Sequence, residues 1–516
     1  SNIFSNTIGN LDELWNYNTA RQIANGLIPY KDISMITTPM LPTIVAIILK
    51  LTTDELIVFR IITALISTAI IFMTYIILKQ LLKNKTISFI LSGFILYIYY
   101  KNFMLDYNFV VLLITLVIEY LELRKLETTP IVDNINEKEN INFAIIKDNR
   151  YNLIIGILAG IAICTKQTVG AFVLLGSLLA PLLFVINKED FKQYIKNAFV
   201  RIIGMLIPVM DFIGFLIVSG SIKYFIEYAI LGIKTFSNSI SYKSLFKSED
   251  IMLKTFAIIL PIFLMLILVA FIINSIQKKK KIPIHIVGRL EIMTAYSVIM
   301  LIVLYPIADK THFYIAMLPL IIQCVYVVAQ ILKFIFLKVS NKIKNKKGIV
   351  SKIYKTLATA VKATIIIAIL YVGINYIDIE LNEYIFNNNT DKNINHYKNI
   401  IVSDYIENRI NDVRNLINTA EKRKINVIIL DAEASVIDIP LDRYHKNYDM
   451  FLKGNIGKDG EEGIINDIKN SSKTIYLTKK DKKKLNWQSP KEVINYVEGN
   501  LEKFGEINLY NVYYKE

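Results

Sequence analysis

The feature that most constrains this chain is an apolar run from Thr255 to Ile276 that contains no charged side chain. About 20 such residues in a helix cross a hydrocarbon layer about 30 Å thick. The chain has 516 residues, 53% of them hydrophobic, and further runs of the same kind recur along it. The sequence therefore predicts an integral membrane protein, and it excludes a disordered, collagen-like or disulfide-stapled protein.

About ten apolar runs bounded by charged residues are predicted to be membrane-spanning helices. They lie near residues 57–78, 86–100, 104–121, 153–165, 168–186, 198–218, 251–276, 290–307, 312–336 and 361–377. Two of them, 86–100 and 153–165, fall below the roughly 17 residues that a perpendicular helix needs, so their ends must recruit flanking polar residues. The expected fold class is a polytopic α-helical membrane protein.

The distribution of positive charge predicts which helix ends face the cytoplasm. Lys and Arg total 59 against 44 Asp and Glu, which gives a net charge of +15. In a soluble protein this excess would suggest nucleic acid, but cations in short membrane loops are first a topology signal because they resist translocation. One set of alternate loops, including 278–281 and 338–362, holds several times more Lys and Arg than the other set. That set is predicted to be cytoplasmic, and no nucleic acid partner is expected.

Residues 1–377 are predicted to form a transmembrane module, with 1–56 as its first outer loop. Residues 1–38 are polar and contain no apolar signal segment. A polar segment needs a preceding span to reach the outer side, so we expect a further helix ahead of residue 1. The intact protein would then have about eleven spans.

After residue 377 the apolar runs shorten to strand length and charge rises, which predicts an extracytoplasmic domain over 378–516. Strands are predicted at 426–430, 474–477 and 507–514. They alternate with helices predicted near 398–422, 461–470 and 489–503. This alternation predicts a small α/β domain with a partly parallel sheet.

Two adjacent carboxylates, Asp12 and Glu13, stand near the start of the first outer loop. A carboxylate at the mouth of a membrane cavity is partly desolvated and can take a proton from an acceptor hydroxyl as that oxygen attacks. The acidic first turn of an interfacial helix over 12–25 would carry the same pair, because the helix dipole favours negative charge there. Spacing alone does not separate the two roles.

Two cations lie near the predicted outer ends of spans. Lys166 separates two apolar runs, where it can pair with a phosphate that gains charge or simply extend to the interface. Arg60 lies about one turn into a span and is costly there unless it faces a cavity or a partner. Asp54 or Glu55 is the expected partner if Arg60 has only a structural role.

The loop before the ninth predicted span brings an acid and an imidazole near the outer surface. His312 can donate to a phosphate or bind a sugar, and Asp309 can hold sugar hydroxyls. A polar turn anchored by tyrosines at the lipid headgroups explains the same pattern. The other histidines show no metal-ligand spacing with the two cysteines, so a structural zinc site is not expected.

Short motifs occur in a fixed order along one predicted face of the membrane. They are Asp12-Glu13 with Ala20-Arg21, Gly26-x-x-Pro29-Tyr30-x-Asp32, Pro39, Arg60, Asp106-Tyr107-Asn108, Gly160-Ile161-Ala162-x-x-Thr165-Lys166-Gln167, Tyr305-Pro306-x-x-Asp309-x-x-His312, Ile429-Leu430-Asp431-Ala432 and Gly454-Asn455-x-Gly457. In this order they resemble the membrane-embedded glycosyltransferases of the C superfamily (GT-C), which include protein O-mannosyltransferases and lipid A aminoarabinose transferases. The resemblance covers most of the chain.

The resemblance implies transfer of a sugar from a polyprenyl-phosphate carrier to an acceptor at the outer face of a bacterial plasma membrane. The acceptor class, whether lipid, polymer or protein, stays open. Asp12 is implied as the base, with Glu13 as the second choice. The residues implied to bind substrate or phosphate are Lys166, Arg60, His312, Asp309, Arg21, Asp106, Tyr30 and Asp32.

Stereochemistry and metal use also stay open. Inversion at the anomeric carbon is usual in the resembled family, but Asp32 or Asp106 as a second carboxylate would serve retention. Some relatives use a divalent cation and others do not, so a cation at Asp12 and Glu13 stays open. No other cofactor is expected.

Two further classes of function fit a polytopic membrane chain. A transporter or lipid flippase would place polar residues near the middle of spans, and Asp211, deep in the run 198–218, favours that class. A buried structural acid explains Asp211 equally well. A non-catalytic envelope assembly protein would use its outer domain to bind partners.

Overall fold

The computed structural model describes residues 8, 11–99, 105–128, 148–182, 188–235, 239–276, 284–344, 394–400 and 402–516. Over these ranges the chain forms a bundle of mostly apolar helices followed by a small α/β domain. The last predicted span, 361–377, and the predicted domain boundary after 377 lie outside the described residues.

The helices of the N-terminal part are labelled α1 to α12 in chain order. Short π-helical and 3-10 turns connect some of them. The bounds are α1 Leu11–Ala24, α2 Met40–Leu51, α3 Leu56–Leu82, α4 Lys85–Tyr99, α5 Tyr107–Thr128, α6 Asn149–Thr165, α7 Gln167–Leu182, α8 Lys188–Val218, α9 Ile222–Phe225, α10 Ile251–Ile276, α11 Ile284–Met300 and α12 Lys310–Lys344.

Length and composition divide these helices into two groups. Helices α2, α4, α6 and α7 are apolar but short. Within the part of the chain that the structure describes, four stretches are long and apolar enough to cross a membrane. They are Leu56–Leu82, Phe191–Val218, Ile251–Ala270 and Lys310–Ile335. The count of about ten spans stays a prediction.

The predicted span over 290–307 is wrong at its C-terminal end. Helix α11 ends at Met300 and gives way to a 3-10 turn, Leu301–Leu304. Tyr305 is extended and is followed by Pro306. Proline has no N–H to donate and disfavours the α conformation of the residue before it, so the helix cannot continue here.

Helix α1 presents the acid pair of the first outer loop. Asp12 and Glu13 lie in its first turn, where the helix dipole favours negative charge. Every residue from Leu14 to Gln22 is buried. The helix body is therefore enclosed by protein, and only its acidic first turn is open.

Glycines bring α6 and α8 into backbone contact. A Cβ on Gly156 would lie 2.1 Å from the carbonyl oxygen of Arg201, and one on Gly160 would lie 2.5 Å from that of Met205. Only glycine permits so close an approach of two helix backbones. Because α6 ends just before Lys166, this packing fixes the position of that residue against the bundle.

Arg201 lies inside the bundle, although the charge pattern groups it with the cytoplasmic loops. Its guanidinium contacts Glu122 Oε1 of α5 at 2.6 Å and Asn152 Oδ1 of α6 at 2.8 Å, and it donates to the Ser177 carbonyl of α7. A buried ion pair needs such additional partners to offset desolvation. The network joins α5, α6, α7 and α8. Its α5 residue, Glu122, lies about 24 Å along the helix from Asp106, at 1.5 Å per residue.

The C-terminal domain is built on a four-stranded sheet of order β1-β2-β4-β3. Strands β1 and β2 are parallel, and β4 runs antiparallel to both β2 and β3, so the predicted partly parallel sheet is confirmed. The element bounds are α13 Asp404–Lys422, β1 Asn426–Leu430, α14 Ala434–Asp438, α15 Gly460–Asn470, β2 Thr474–Lys479, α16 Lys491–Asn500, β3 Glu502–Ile507 and β4 Tyr510–Lys515.

The single final strand predicted over 507–514 is wrong, because the chain forms a hairpin there. Strands β3 and β4 pair across a turn in which Asn508 has a φ of 44°. Strand β3 lies at the sheet edge and is largely exposed. It therefore lacks the buried alternation by which a strand is identified in a sequence.

Two predicted helices of this domain differ at their ends. The helix predicted over 489–503 ends at Asn500, since the following residues pair in β3. The helix predicted over 398–422 begins at Asp404. Ser403 caps it, because its hydroxyl accepts a hydrogen bond from the N–H of Ile406.

The C-terminal domain packs directly on α1. Asn18 Nδ2 donates to Asp449 Oδ1 at 2.6 Å, and the Arg21 guanidinium contacts the Asp442 carboxylate. Asp442 also accepts from His396 Nε2 at 2.7 Å. Helix α1 is thus held between the bundle and the C-terminal domain.

The glycine packing of α6 on α8 yields a stability prediction. We expect Gly156→Ala to lower the free energy of unfolding by about 1–3 kcal/mol, because the added methyl group must push two backbones apart. The control is Gly93→Ala in α4, where a Cβ would meet nothing within 4 Å. We expect this change to be neutral or stabilising by about 0.5–1 kcal/mol. Thermal melting of both purified variants tests the contrast, and equal melting temperatures would contradict it.

Candidate active site

The structure gathers five of the predicted site residues from separate parts of the chain. Asp12 comes from α1, Asp106 precedes α5, Lys166 separates α6 from α7, and Asp309 and His312 lie at the start of α12. The charges of the other four all act on the Asp12 carboxyl. We call these residues the Asp12 group.

Lys166 is fixed by a chain of polar contacts. Its backbone is extended between two helices, with φ −149°. The ammonium Nζ lies 2.8 Å from Asn108 Oδ1, and Asn108 Nδ2 donates to Asp106 Oδ2 at 2.8 Å. The same Nζ lies 4.6 Å from the ring centroid of Tyr107, within cation–π range. The head of α5 therefore holds this cation beside the carboxylates.

Asp309 both caps α12 and orients an imidazole. One of its oxygens, Oδ1, accepts from the backbone N–H of His312 at 2.9 Å and lies 2.8 Å from Nδ1 of the same residue. The backbone contact is the usual one between an N-cap residue and the third residue of a helix. Because Nδ1 is engaged, Nε2 is the imidazole nitrogen left for a second contact.

Glu13 and Arg60 form a two-pronged ion pair between α1 and α3. Arg60 Nε lies 2.8 Å from Glu13 Oε1, and Nη2 lies 2.9 Å from Oε2. The partners expected from the sequence, Asp54 and Glu55, are engaged elsewhere: His396 contacts the first and Lys398 the second. The ion pair commits Glu13 to Arg60 and leaves Asp12 as the α1 carboxylate of the Asp12 group.

The surroundings of Asp12 suit a base that works near neutral pH. Asp12 is exposed as a residue, although protein surrounds its carboxyl group. Burial raises the pKa of this carboxyl to about 6. The charge of Asp106 adds to the rise, His312 opposes it, and Asp309 and Lys166 make smaller contributions of opposite sign. The carboxyl is therefore largely ionised at pH 7 and binds a proton more readily than a solvated aspartate.

The other titrating groups have pKa shifts with equally local causes. Burial lowers the pKa of the Lys166 ammonium to about 8, against the opposing charges of Asp106 and Asp12. Burial alone would raise the pKa of Asp309, but hydrogen bonds from His312 hold it below its usual range. At neutral pH the site thus contains an ammonium next to ionised carboxylates.

Three predicted site residues are not brought to the Asp12 group. Arg21 is buried and contacts Asp442 of the C-terminal domain. The Tyr30 hydroxyl is also buried and donates to the Thr37 carbonyl at 2.8 Å. Asp32 accepts from the backbone N–H of residue 28 at 2.9 Å. These contacts stabilise the first outer loop, and a role in substrate binding stays a prediction for all three residues.

The acid that favoured a transporter does not lie inside the bundle. Asp211 is exposed on α8, so its interpretation as a buried structural acid is wrong. The buried acids of the described bundle include Glu119 and Glu122, and Glu122 pairs with Arg201. This ion pair has its own structural partners and belongs to the helix packing.

Asp12 and Glu13 do not face a common cation position. Glu13 directs both carboxylate oxygens at Arg60. No three His, Cys, Asp or Glu side chains within the described ranges are close enough to hold a metal ion. A divalent cation at Asp12 and Glu13 stays a prediction, and it would have to share the Glu13 carboxylate with Arg60.

A cavity of about 300 Å³ lies in the C-terminal domain, away from the Asp12 group. It is bordered by the end of α13, the start of β1 and the segment 442–445. Its polar side chains already have partners, because Arg443 contacts Asp438 and Asp442 contacts Arg21. The charged groups of this lining are engaged in contacts within the C-terminal domain and with α1, so we place the candidate site at Asp12.

Sequence reasoning did not assign roles to three residues beside this site. Asn108 links Lys166 to Asp106, and Tyr107 lies beneath the ammonium. Trp15 packs edge-on against Tyr107, with ring centroids 6.3 Å apart. Asn108 had a sequence signal, since it lies two residues after Asp106 in a quoted motif, whereas the contact of Trp15 depends on tertiary structure.

The ion pair of Glu13 and Arg60 predicts strong energetic coupling. Because Arg60 is buried, Glu13→Gln and Arg60→Met should each lower the free energy of unfolding by about 3 kcal/mol, since each leaves one group without its partner. The double variant should lose much less than the sum. Thermal melting of the four proteins measures this coupling.

The exposed pair of Lys192 and Glu189 provides a matched control. Solvent screens this pair, so Glu189→Gln and Lys192→Met should show almost no coupling. If the losses of unfolding free energy from Glu13→Gln and Arg60→Met were simply additive, as expected for the exposed pair, the proposed anchoring of α1 by the ion pair would be contradicted.

No known family model matches the chain, and no curated protein is significantly similar to it. Among solved structures, the chain is similar to the apo crystal structure of the Archaeoglobus fulgidus oligosaccharyltransferase, with 11% sequence identity and a TM-score of 0.42. The match covers 85% of this chain, which spans 60% of that protein's length. A similarity this low carries no argument about the activity of this chain.

Proposed function

We propose that this protein transfers a glycosyl group from a polyprenyl-phosphate-linked sugar to an acceptor at the outer face of a bacterial plasma membrane. The acceptor is an alcohol of a lipid, an envelope polymer or a protein. The proposal rests on one observation: the Asp12 carboxylate, the Lys166 ammonium and the His312 imidazole come together from separate helix ends at one place, next to apolar helices.

The chemistry of glycosyl transfer needs two kinds of group, and the Asp12 group contains both. A base must accept the proton of the acceptor hydroxyl, and cations must stabilise the phosphate that departs. Asp12 supplies the base. Lys166 and His312 supply the donors that face the phosphate, the first as an ammonium and the second through Nε2.

The reaction then proceeds in one displacement. The acceptor oxygen attacks the anomeric carbon while its proton passes to a carboxylate oxygen of Asp12. The bond between the anomeric carbon and the phosphate oxygen breaks, and its electron pair stays on the phosphate. The charge that develops there is stabilised by Lys166 and His312, whose charges act on Asp12 and therefore lie near the reacting centre.

The positions of the other carboxylates favour inversion over retention. Retention would need a second carboxylate free to act as a nucleophile. Asp32 is engaged in its own turn, and the buried Asp106 accepts from Asn108 through Oδ2 within the contact chain of Lys166, whereas its Oδ1 accepts no hydrogen bond from a described residue. Glu13 pairs with Arg60. We therefore assign Asp12 as the base of an inverting displacement.

Arg60 and Glu13 have a positioning role in this scheme. Their ion pair holds the first turn of α1 against α3, and Asp12 is the adjacent residue. A small rotation of that turn would move the base away from the acceptor hydroxyl. No step of the scheme requires a bound metal, and a cation shared by Asp12 and Glu13 would require Glu13 to release Arg60.

The pKa values of two groups predict the pH dependence of kcat/KM. Asp12 must be ionised to accept a proton, so the rate should rise with pH through about 6. Lys166 must be charged to stabilise the phosphate, so the rate should fall as pH rises through about 8. Lys166→Arg keeps the charge at higher pH and should extend the plateau to alkaline pH. A profile that is flat from pH 5 to pH 9 would contradict these assignments.

Two isosteric variants test the base directly. We expect Asp12→Asn to lower the transfer rate at least about 100-fold, the usual contribution of a general base. Asp481→Asn in the C-terminal domain is the matched control, because Asp481 has no assigned role at the site and an amide oxygen can still accept the N–H of Lys483. It should stay within a few-fold of the wild type. Release of polyprenyl phosphate from a labelled donor, with the protein reconstituted in lipid and incubated with membrane extract, measures the rate.

The same assay separates the proposal from its rivals. Release of polyprenyl phosphate together with a labelled acceptor supports transfer. Movement of intact donor across the bilayer without cleavage would indicate a flippase, and neither event would indicate an assembly protein. Full transfer by a correctly folded Asp12→Asn variant would overturn the assignment of the base.

A further inference from the structure

The chain turns sharply at the end of α8, a helix that contains a membrane-length apolar stretch. Helix α8 ends where Ser221 N donates to the Leu216 carbonyl at 2.9 Å and Gly220 adopts a φ of 66°. This left-handed C-terminal motif stops the helix and turns the chain. The turn leads into α9, a π-helical turn and a 3-10 turn, together covering 222–235. We call 222–235 the strap.

One face of the strap is apolar and exposed. Ile222, Ile226, Ile230 and Ile233 follow one another at helical spacing, and each is between 41% and 52% exposed. Water-soluble surfaces seldom present a row of β-branched aliphatic side chains without a partner. Such a row on a helical element joined to a spanning helix is typical of a segment that lies in a membrane interface.

The opposite face of the strap holds the C-terminal domain. The Tyr228 hydroxyl donates to Asn447 Oδ1 at 2.7 Å, and Lys446 Nζ lies 5.0 Å and 4.9 Å from the ring centroids of Tyr224 and Tyr228. Phe225 packs edge-on against the ring of Tyr30 of the first outer loop, with centroids 5.2 Å apart. The polar and aromatic contacts of the strap are thus used on one side, and the isoleucines occupy the other.

Helix α2 repeats this arrangement on another part of the chain. Ile44, Ile47 and Leu51 are exposed, whereas Leu41 and Val45 are buried in the core shared with α1. Residues 52–55 join α2 to α3, which is long and apolar enough to cross a membrane. Both amphipathic elements therefore adjoin a membrane-length helix and hold part of the site-bearing structure on their inner faces.

We propose that the strap and α2 lie in the headgroup layer of the bilayer, with their aliphatic rows in contact with acyl chains. We assign lipid as the partner of these faces, because the strap and α2 are each joined by a short connection to a helix that is long and apolar enough to cross a membrane. Exposed Lys223 and Lys234 flank the isoleucine row and suit the phosphates of anionic lipids. Lipid contact sets the height of the C-terminal domain and of α1 above the hydrocarbon, and it does not depend on the proposed transferase activity.

Spin labelling in liposomes tests this placement. A cysteine-free background, Cys164→Ala with Cys324→Ala, receives a nitroxide at Ile226→Cys or Ile47→Cys. The controls are Tyr405→Cys and Phe504→Cys, two exposed aromatic positions of the C-terminal domain. The protein is reconstituted in phosphatidylcholine with phosphatidylglycerol. Relaxation by oxygen, which concentrates in acyl chains, is compared with relaxation by a water-soluble nickel chelate.

We expect the ratio of relaxation by oxygen to relaxation by the nickel chelate to be several-fold higher at Ile226→Cys and Ile47→Cys than at the two controls. Equal ratios at all four positions would overturn the proposal, and so would labels shielded from both reagents, because a protein partner would then cover the rows. If the cysteine-free protein has a lowered melting temperature, an Ile226→Trp variant that keeps both cysteines is used instead. Quenching of its added fluorescence by brominated acyl chains supports the proposal, and quenching no greater than that of wild type overturns it.

Discussion

The candidate site depends on the placement of the Lys166 ammonium near two carboxylates. Asp106 is buried, Lys166 is half-buried, and the charges of Asp106 and Asp12 oppose the fall in the pKa of Lys166 that burial causes. Without the cation, two desolvated carboxylates would repel each other and one would take up a proton. Burial raises the pKa of Asp12 to about 6, the charge of Asp106 adds to the rise, and the charges of His312 and, to a smaller extent, Lys166 oppose it. Burial and the nearby charges together give Asp12 a pKa that suits a base for an alcohol near neutral pH.

The rest of the architecture holds these charges in place. Gly156 and Gly160 let α6 approach α8, which fixes the end of α6 from which Lys166 extends. The ion pair of Glu13 and Arg60 fixes the first turn of α1 against α3. The C-terminal domain packs on the other side of α1. Each of these contacts lies away from the Asp12 carboxyl and the Lys166 ammonium, yet each helps to set the positions of the elements that carry these two groups.

Sequence patterns predicted the helices and the parallel strands well, because apolar periodicity and burial go together there. They failed at β3, whose exposed edge position produces no apolar alternation, so one strand was predicted where a hairpin forms. In the site, the residues of the Asp12 group were predicted from chemistry and motif order, and their roles stay predictions. The partner of Arg60 was not, because Glu13 lies 47 residues away and neighbouring acids offered a simpler pairing. The roles of Arg21 and Tyr30 in holding the first outer loop likewise depend on tertiary contacts that no spacing reveals.

The most direct test of the account is the position of polyprenyl phosphate in a structure of the protein with that product bound in lipid. The account predicts a phosphate in hydrogen-bond range of Lys166 Nζ or His312 Nε2, with space for a sugar between the phosphate and the Asp12 carboxylate. A phosphate bound at a separate place, with Lys166 still held by Asn108 and no room for a sugar beside Asp12, would contradict it.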